Sequence, residues 1–264
     1  MLAPETFTAQ WLKAVMERHR RAKVLFWWPL WTMLGLLALA VLLDGPVTEA
    51  VRNWPSGERA FFRFITDLGK SDWLFVPTLL AGLLCGAGLR LKLSYSWAWA
   101  ARGVLAISAY IFATIAISGL VTVVIKRIIG RARPMYLEDL GVLHFQPFEL
   151  LDWSFHSFPS GHATTAVAFA LVLRTLTNGR FHGWLIAFGF AIGLSRIVVG
   201  DHYLSDVIAG SFVGLASAIV VRDYFVTRRW GMEVKGGRVH YRMFAAFEPL
   251  MRWLRRRHIP AVFK

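Results

Sequence analysis

The sequence predicts an all-α, polytopic membrane protein: a six-transmembrane-helix bundle with amphipathic terminal helices. Three observations predict it. Hydrophobic residues make up 56% of the 264 and charged residues 17%, against about 45–50% and about 25% in soluble domains. The apolar residues gather in runs long enough to cross a hydrocarbon core of about 30 Å as helices. The charged residues fall between those runs, with the spans nearly free of them. A formal charge of +14 could suggest nucleic acid, but no recognition module accompanies it, and membrane topology explains it better. Cys85 is the only cysteine, so a disulfide framework and a cysteine-based metal site are both excluded.

The N-terminal segment, 1–23, pairs Trp11, Leu12, Val15 and Met16 with Lys13, Arg18, Arg20 and Arg21. From Phe7 to Arg21 that pattern suits either a helix lying on a membrane surface or a frayed basic terminus. Val24–Leu43 is uncharged over about 20 residues, the length of one crossing. Its triplet Ala38-Leu39-Ala40 resembles a signal-peptidase site. Apolar sequence continues past it, and the basic region before it is too long for a signal, so the span reads as retained. Further spans are predicted at Trp73–Leu89, Gly103–Ile125, Ser160–Leu173, Trp184–Gly200 and Val207–Val226. The short fourth span ends in Arg174, which can snorkel to the interface. Brief connectors at 90–102 and 174–183 contrast with longer ones at 44–72 and 126–159. Gly and Pro are scattered and no repeat is visible, so 24–226 reads as a single six-helix domain. The tail, 227–264, mixes Phe244, Phe247, Met251, Trp253 and Leu254 with Arg242, Arg252, Arg255, Arg256 and Arg257. It reads as an amphipathic segment on anionic lipid, in which Pro249 breaks any continuous helix.

Six crossings bring both termini to one side. Lys and Arg are in excess on that side, and the loop 90–102 carries Arg90, Lys92 and Arg102 with no acidic residue. The positive-inside rule therefore places both termini in the cytoplasm of an inner or plasma membrane.

On this map the polar clusters share one membrane face, the non-cytoplasmic one. Lys126 and Arg133 follow span three, Pro159-Ser160-Gly161-His162 opens span four, Ser195-Arg196 ends span five, and His202 and Asp206 open span six. Each has a physical use. His202 and Asp206, four apart, share a helix face, so the carboxylate can accept one ring N–H and leave the other nitrogen free to attack. Arg196 is a planar double donor suited to phosphate oxygens. Ser160 and Gly161 offer a hydroxyl, backbone N–H groups and the positive end of a helix dipole to an anion. His162 can protonate a leaving oxygen. Taken singly, each also reads as an ordinary cap, anchor or solvated loop.

Taken together they are specific. Lys126-x6-Arg133-Pro134, Pro159-Ser160-Gly161-His162 and Ser195-Arg196-x5-His202-x3-Asp206 resemble the three-part signature of the type 2 phosphatidic acid phosphatase superfamily, in order and without departure from Lys126 to Asp206. The resemblance implies an integral-membrane, metal-independent lipid phosphate phosphatase that needs no cofactor. It makes His202 the nucleophile of a phosphohistidine intermediate, Asp206 its orienting carboxylate and His162 the acid for the leaving oxygen. Lys126, Arg133, Ser160, Gly161 and Arg196 would cradle the phosphoryl oxygens. The implied partners are the bilayer and a lipid phosphate: phosphatidate or phosphatidylglycerol phosphate, undecaprenyl pyrophosphate, or a phosphate of lipid A. The loop 135–158, with Glu138, Asp139, His144, Glu149, Asp152 and His156, is where specificity would be tuned.

Two other classes of function remain. A phosphotransferase would use the same phosphohistidine and pass the group to a lipid acceptor. A transporter or silent scaffold is disfavoured because transport sites sit near the midplane among intramembrane charges, and here the ionisable groups collect at one edge.

Overall fold

The computed structural model describes the backbone of residues 7–235 and 238–257, with side chains described over 30–234 and 239–256. The chain is an all-helical membrane bundle with one small hairpin near its C-terminus. In order it forms α1 (Phe7–Arg52), α2 (Ser56–Asp67), α3 (Asp72–Gly88), α4 (Tyr95–Ile129), the single turn α5 (Leu137–Leu140), α6 (Gly161–Leu176), α7 (His182–Val198), α8 (Leu204–Thr227), strands β1 (Met232–Lys235) and β2 (Arg238–Tyr241), and α9 (Glu248–Arg257).

Four segments are long and apolar enough to cross a membrane, 30–52, 56–88, 95–129 and 204–227, while α6 and α7 are shorter apolar helices. The expected connector at 44–72 is mostly helix. Apolar side chains continue past Leu43 through Val47 and Val51, so α1 runs on to Arg52, and α2 is a separate helix. The expected surface-lying face of 7–21 falls outside the residues whose side chains are described.

Helices α4, α6 and α8 pack on one another, with α3 against α4, α1 against α8 and α2 against α7. Lipid tails are as apolar as leucine, so close packing and polar stitches, not the hydrophobic effect, must hold such helices together. Both are present. A Cβ on Gly210 or Gly214 would sit 2.3 Å from the carbonyl oxygen of Ser160 or Thr164, so these two glycines set how closely α8 approaches α6. The hydroxyl of Thr164 donates to Gly210 O at 3.0 Å and lies 3.2 Å from that of Thr122 on α4.

At the end remote from the motif residues, Tyr110, Val172, Leu176, Val221, Phe225, Met232 and Tyr241 form an apolar core. The antiparallel hairpin contributes Met232 and Tyr241 and is pinned by Asn178, whose Oδ1 accepts from Tyr241 N at 2.8 Å. The hairpin was not expected in a basic tail. Its apolar pairs are too short to read as strands from spacing. Phe247 packs against Gly103 of α4. Pro249 does not break α9: it stands in the first turn, where a missing N–H costs nothing. Arg257 lies in the α9 backbone, and its side chain is outside those described.

Candidate active site

The end of α4 is set by Gly130, at φ +61°, where a Cβ would lie 1.7 Å from Gln146 O. Only glycine makes that turn against that neighbour. Beyond it the chain is held on both sides, Ala132 N donating to His144 O, Arg133 N to Ser154 O, and Ser157 N to Arg131 O, all at 2.9–3.1 Å. This frame aims the two expected cations. Lys126 Nζ donates to His156 O at 2.7 Å. Arg133 Nε donates to Trp153 O at 3.2 Å, and its guanidinium lies 4.8 Å from the Trp153 ring.

Ser160 caps α6 without a side-chain cap bond, its Oγ buried and unpartnered. Its backbone N donates to Asp206 O at 2.9 Å, which joins the start of α6 to the start of α8. Gly161 and His162 follow in the first turn of α6. Arg196 ends α7 at 5% exposure, with Nη2 2.6 Å from Asp201 and Nη1 donating to Thr66 Oγ1 at 3.2 Å. Among the described residues, the buried polar side-chain atoms without a hydrogen-bond partner include Ser160 Oγ, His162 Nε2, Arg196 Nε and His202 Nδ1. A buried polar atom left so costs about 1–3 kcal/mol. Those of Ser160, His162 and Arg196 are polar atoms that an anion bound at this end would satisfy, whereas His202 Nδ1 faces Asp206.

His202 and Asp206 meet differently from expectation. Helix α8 begins at Leu204, so His202 stands before it and the two do not share a helix face. His202 Nδ1 lies 3.6 Å from Asp206 Oδ2, beyond hydrogen-bond reach. The carboxylate is held by others: Tyr203 N at 2.9 Å, Ser157 Oγ at 2.5 Å and Arg131 Nη1 at 2.7 Å. Contacts of this kind tighten in substrate complexes, and a shift of well under 1 Å closes this one.

Arg131 also reaches Asp44 on α1, at 2.8 Å. Asp44 in turn accepts from the backbone N of Ser205 at 2.8 Å and from its hydroxyl. Arg131 stacks 4.3 Å over the Tyr203 ring. All three charges are buried, Asp44 and Asp206 at 0% and Arg131 at 2%. A carboxylate–guanidinium–carboxylate bridge therefore runs from α1 through the loop after α4 to the start of α8.

Sequence reasoning missed Asp44, Ser157 and the bridging role of Arg131. Asp44 did carry a signal: a lone carboxylate ending an apolar run is a functional candidate by default, because its burial needs a partner.

Electrostatics mark His202 as a free base. Its imidazole is pushed well below the ordinary 6.5, first by burial and then by the positive charges of Lys126, Arg196 and Arg133 and by His162. Those four groups belong to α4, the following loop, α6 and α7, so the expected constellation is brought together around one ring.

The loop 135–158 uses Glu149 and Asp152 to hold its own shape and Glu138 to tie it to α1. Asp152 Oδ1 accepts from Ser154 N, Glu149 accepts from the backbone of Leu151 and Asp152, and Glu138 pairs with Arg52. Beside its exposed acidic groups it presents apolar side chains outward: Phe148, Leu150, Leu151 and Trp153 are exposed.

A family model described as the PAP2 superfamily matches residues 107–230. The chain is 38% identical over 196 residues to a lipid A 1-phosphatase of Rhizobium etli, covering 72% of this chain and 83% of that protein. It is 32% identical over 173 residues to the bacitracin transport permease protein BcrC of Bacillus licheniformis, covering 61% and 76%. Among solved structures, Aquifex aeolicus LpxE overlaps at TM-score 0.47 with 22% identity, over 69% of this chain and 96% of that one.

Proposed function

We propose that this chain, which belongs to the PAP2 superfamily and is a membrane phosphatase, removes a phosphate from a lipid headgroup by way of a phosphohistidine on His202. The observation that supports this most is the setting of His202: a buried imidazole held in its free-base form beneath Lys126, Arg133 and Arg196. A neutral imidazole is a nucleophile at pH 7, and cations placed around it favour charge spread over a transferring phosphoryl group.

In the first step the free ring nitrogen of His202 attacks phosphorus and the P–O bond to the lipid breaks. The leaving oxygen takes its proton from His162. Asp206, fixed by Arg131, Ser157 and Tyr203 N, balances the charge that develops on the His202 ring. In the second step His162 takes a proton from water as it attacks the phosphohistidine, which releases phosphate and restores His202. Ser160 Oγ and the N–H groups at the start of α6 join the three cations on the non-bridging oxygens. This positive charge comes from the chain, so turnover is expected to persist in excess EDTA.

The substrate we infer is a glycolipid phosphate of the lipid A type. It is supported by the name of the Rhizobium etli relative and by an exposed apolar loop beside a site at the end of the bundle. Undecaprenyl pyrophosphate and phosphatidylglycerol phosphate are the comparison substrates. Purified protein given this panel is expected to release phosphate fastest from lipid A, and His202→Ala to release none above background. Equal rates on every headgroup would remove the substrate reading. Full activity of His202→Ala would remove the mechanism.

We further place the site on the non-cytoplasmic face. In intact cells, a cysteine at exposed Leu151 on a Cys85→Ala background is expected to react with a membrane-impermeant maleimide. Labelling only after lysis would reverse the orientation.

A further inference from the structure

Helix α2 has two faces with different partners. Arg59, Phe62 and Thr66 look into the protein. Arg59 donates to the last carbonyls of α1, Val51 O and Arg52 O, and Thr66 is buried on α7. Phe61, Phe64 and Leu68, spaced three and four apart, look the other way and are 61%, 66% and 44% exposed.

The inward face reaches the catalytic groups directly. Ser195 Oγ donates to Ile192 O at 2.7 Å, so it accepts from Thr66 Oγ1, also at 2.7 Å. Thr66 Oγ1 in turn accepts from Arg196 Nη1 at 3.2 Å. The protons thus run in one sense, from guanidinium to threonine to serine to backbone. One turn on, a Cβ at Gly69 would stand 3.2 Å from His162 Cβ and Cδ2 and 2.7 Å from Ile192. The backbone at the end of α2 therefore lies against the side of His162. Neither Thr66 nor Gly69 belongs to the three motifs.

The outward face has lipid within reach. Only Asn53–Pro55 separate α2 from α1, and only Leu68–Ser71 separate it from α3, whose Val76, Leu80, Leu83 and Leu84 are exposed along an apolar segment. Trp54 and Trp73 flank α2 with part of each ring exposed, as suits indoles at headgroup level. Exposed Arg63 stands beside the aromatic stripe, where headgroup phosphates would meet it, while Lys70 pairs with Asp67 at 2.7 Å.

We propose that α2 is a bilayer-seated brace for the active site: Phe61, Phe64 and Leu68 bury in the leaflet at the site end, and the opposite face holds Arg196 through Thr66 and His162 through Gly69. Thr66 is a positioning residue, and phosphate binding depends on contact with that leaflet. The proposal rests on Arg196 gripping phosphate and extends the phosphatase reading to how the membrane prepares the grip.

The test is binding of inorganic phosphate, by titration calorimetry, to full-length protein in phosphatidylcholine nanodiscs. This reads the grip without turnover, so a wrong substrate or mechanism would not disturb it. Thr66→Val is expected to weaken phosphate about tenfold, the effect of removing one hydrogen bond to a charged group, with Thr66→Ser close to wild type. The double variant Phe61→Ser/Phe64→Ser is expected to weaken phosphate several-fold, while Phe61→Leu/Phe64→Leu, which keeps the apolar face, is not. Wild-type affinity in both Thr66→Val and the double serine variant would overturn the brace. A spin label at Phe61→Cys on a Cys85→Ala background is expected to be relaxed by oxygen more than by an aqueous nickel chelate. Label–label coupling within a dimer would show instead that the face meets a second copy of the chain, and would overturn the membrane seat.

Discussion

The two ends of the bundle hold together by different physics. At the site end, Asp44, Arg131, Asp206, Ser157, Ser205 and Tyr203 are joined by directional, charge-assisted bonds between α1, α8 and the loop after α4. At the other end, Tyr110, Val172, Leu176, Val221, Phe225, Met232 and Tyr241 meet through apolar surface. Apolar contact is tolerant of small shifts and suits a region that only needs cohesion. Directional bonds tolerate little, and phosphoryl transfer depends on reacting atoms held within a fraction of an ångström. The molecule places its exacting contacts at the proposed site and its forgiving ones elsewhere.

Substitutions at the two ends should therefore separate stability from rate. The largest effect is expected from Asp44→Ala, which leaves Arg131 as a buried cation with a single carboxylate, Asp206, to balance it. Loss of about 3–5 kcal/mol in denaturant unfolding is expected, together with a fall in turnover, since Asp206 loses a fixed neighbour. Unchanged turnover in the folded fraction would confine the bridge to a structural role. Next comes Ser160→Ala, expected to lower turnover about 10²–10³-fold, as for one donor to a developing oxyanion, with little change in unfolding. A matching loss of stability would instead make Ser160 an ordinary cap.

A smaller effect is expected from pH. Because His202 is depressed below 6.5, it stays unprotonated as pH falls through that value, so the acid limb of kcat/KM should lie below it once the ionisation of the substrate phosphate is divided out. The same shift works against the folded state in acid. The unfolded chain binds its proton first, so stability is lost as pH falls below about 6.5. An acid limb at 6.5 would contradict the burial of the ring. The smallest effect is expected at the far end, where Tyr241→Phe removes a buried hydroxyl without a partner. Both turnover and unfolding should stay near wild type. A large loss of turnover there would blur the contrast between the ends.

Much of this was legible in the sequence. Apolar runs announced the bundle because crossing a bilayer demands them, and helices α3, α4, α6, α7 and α8 fall close to the spans predicted. Lys126, Arg133, Ser160, Gly161, His162, Arg196, His202 and Asp206 stood out as candidates because fixed spacings carried them. Asp44 was not, since its role exists only through contact with Arg131 and Ser205, 87 and 161 residues away. Thr66 was hidden for the same reason. The helical face proposed for His202 and Asp206 failed because Tyr203 N uses Asp206 as a cap, which starts the helix after His202. The hairpin was hidden because its four-residue strands hold too few positions to show a period.

The central claim is that His202 carries the phosphoryl group. Enzyme mixed briefly with ³²P-labelled lipid phosphate and quenched in alkali should retain label that is released by mild acid, as a phosphoramidate is. His202→Ala should retain none, and His162→Ala should retain it longer, because its loss slows attack by water. Equal labelling of wild type and His202→Ala would contradict the claim and move the covalent step, if there is one, to another residue.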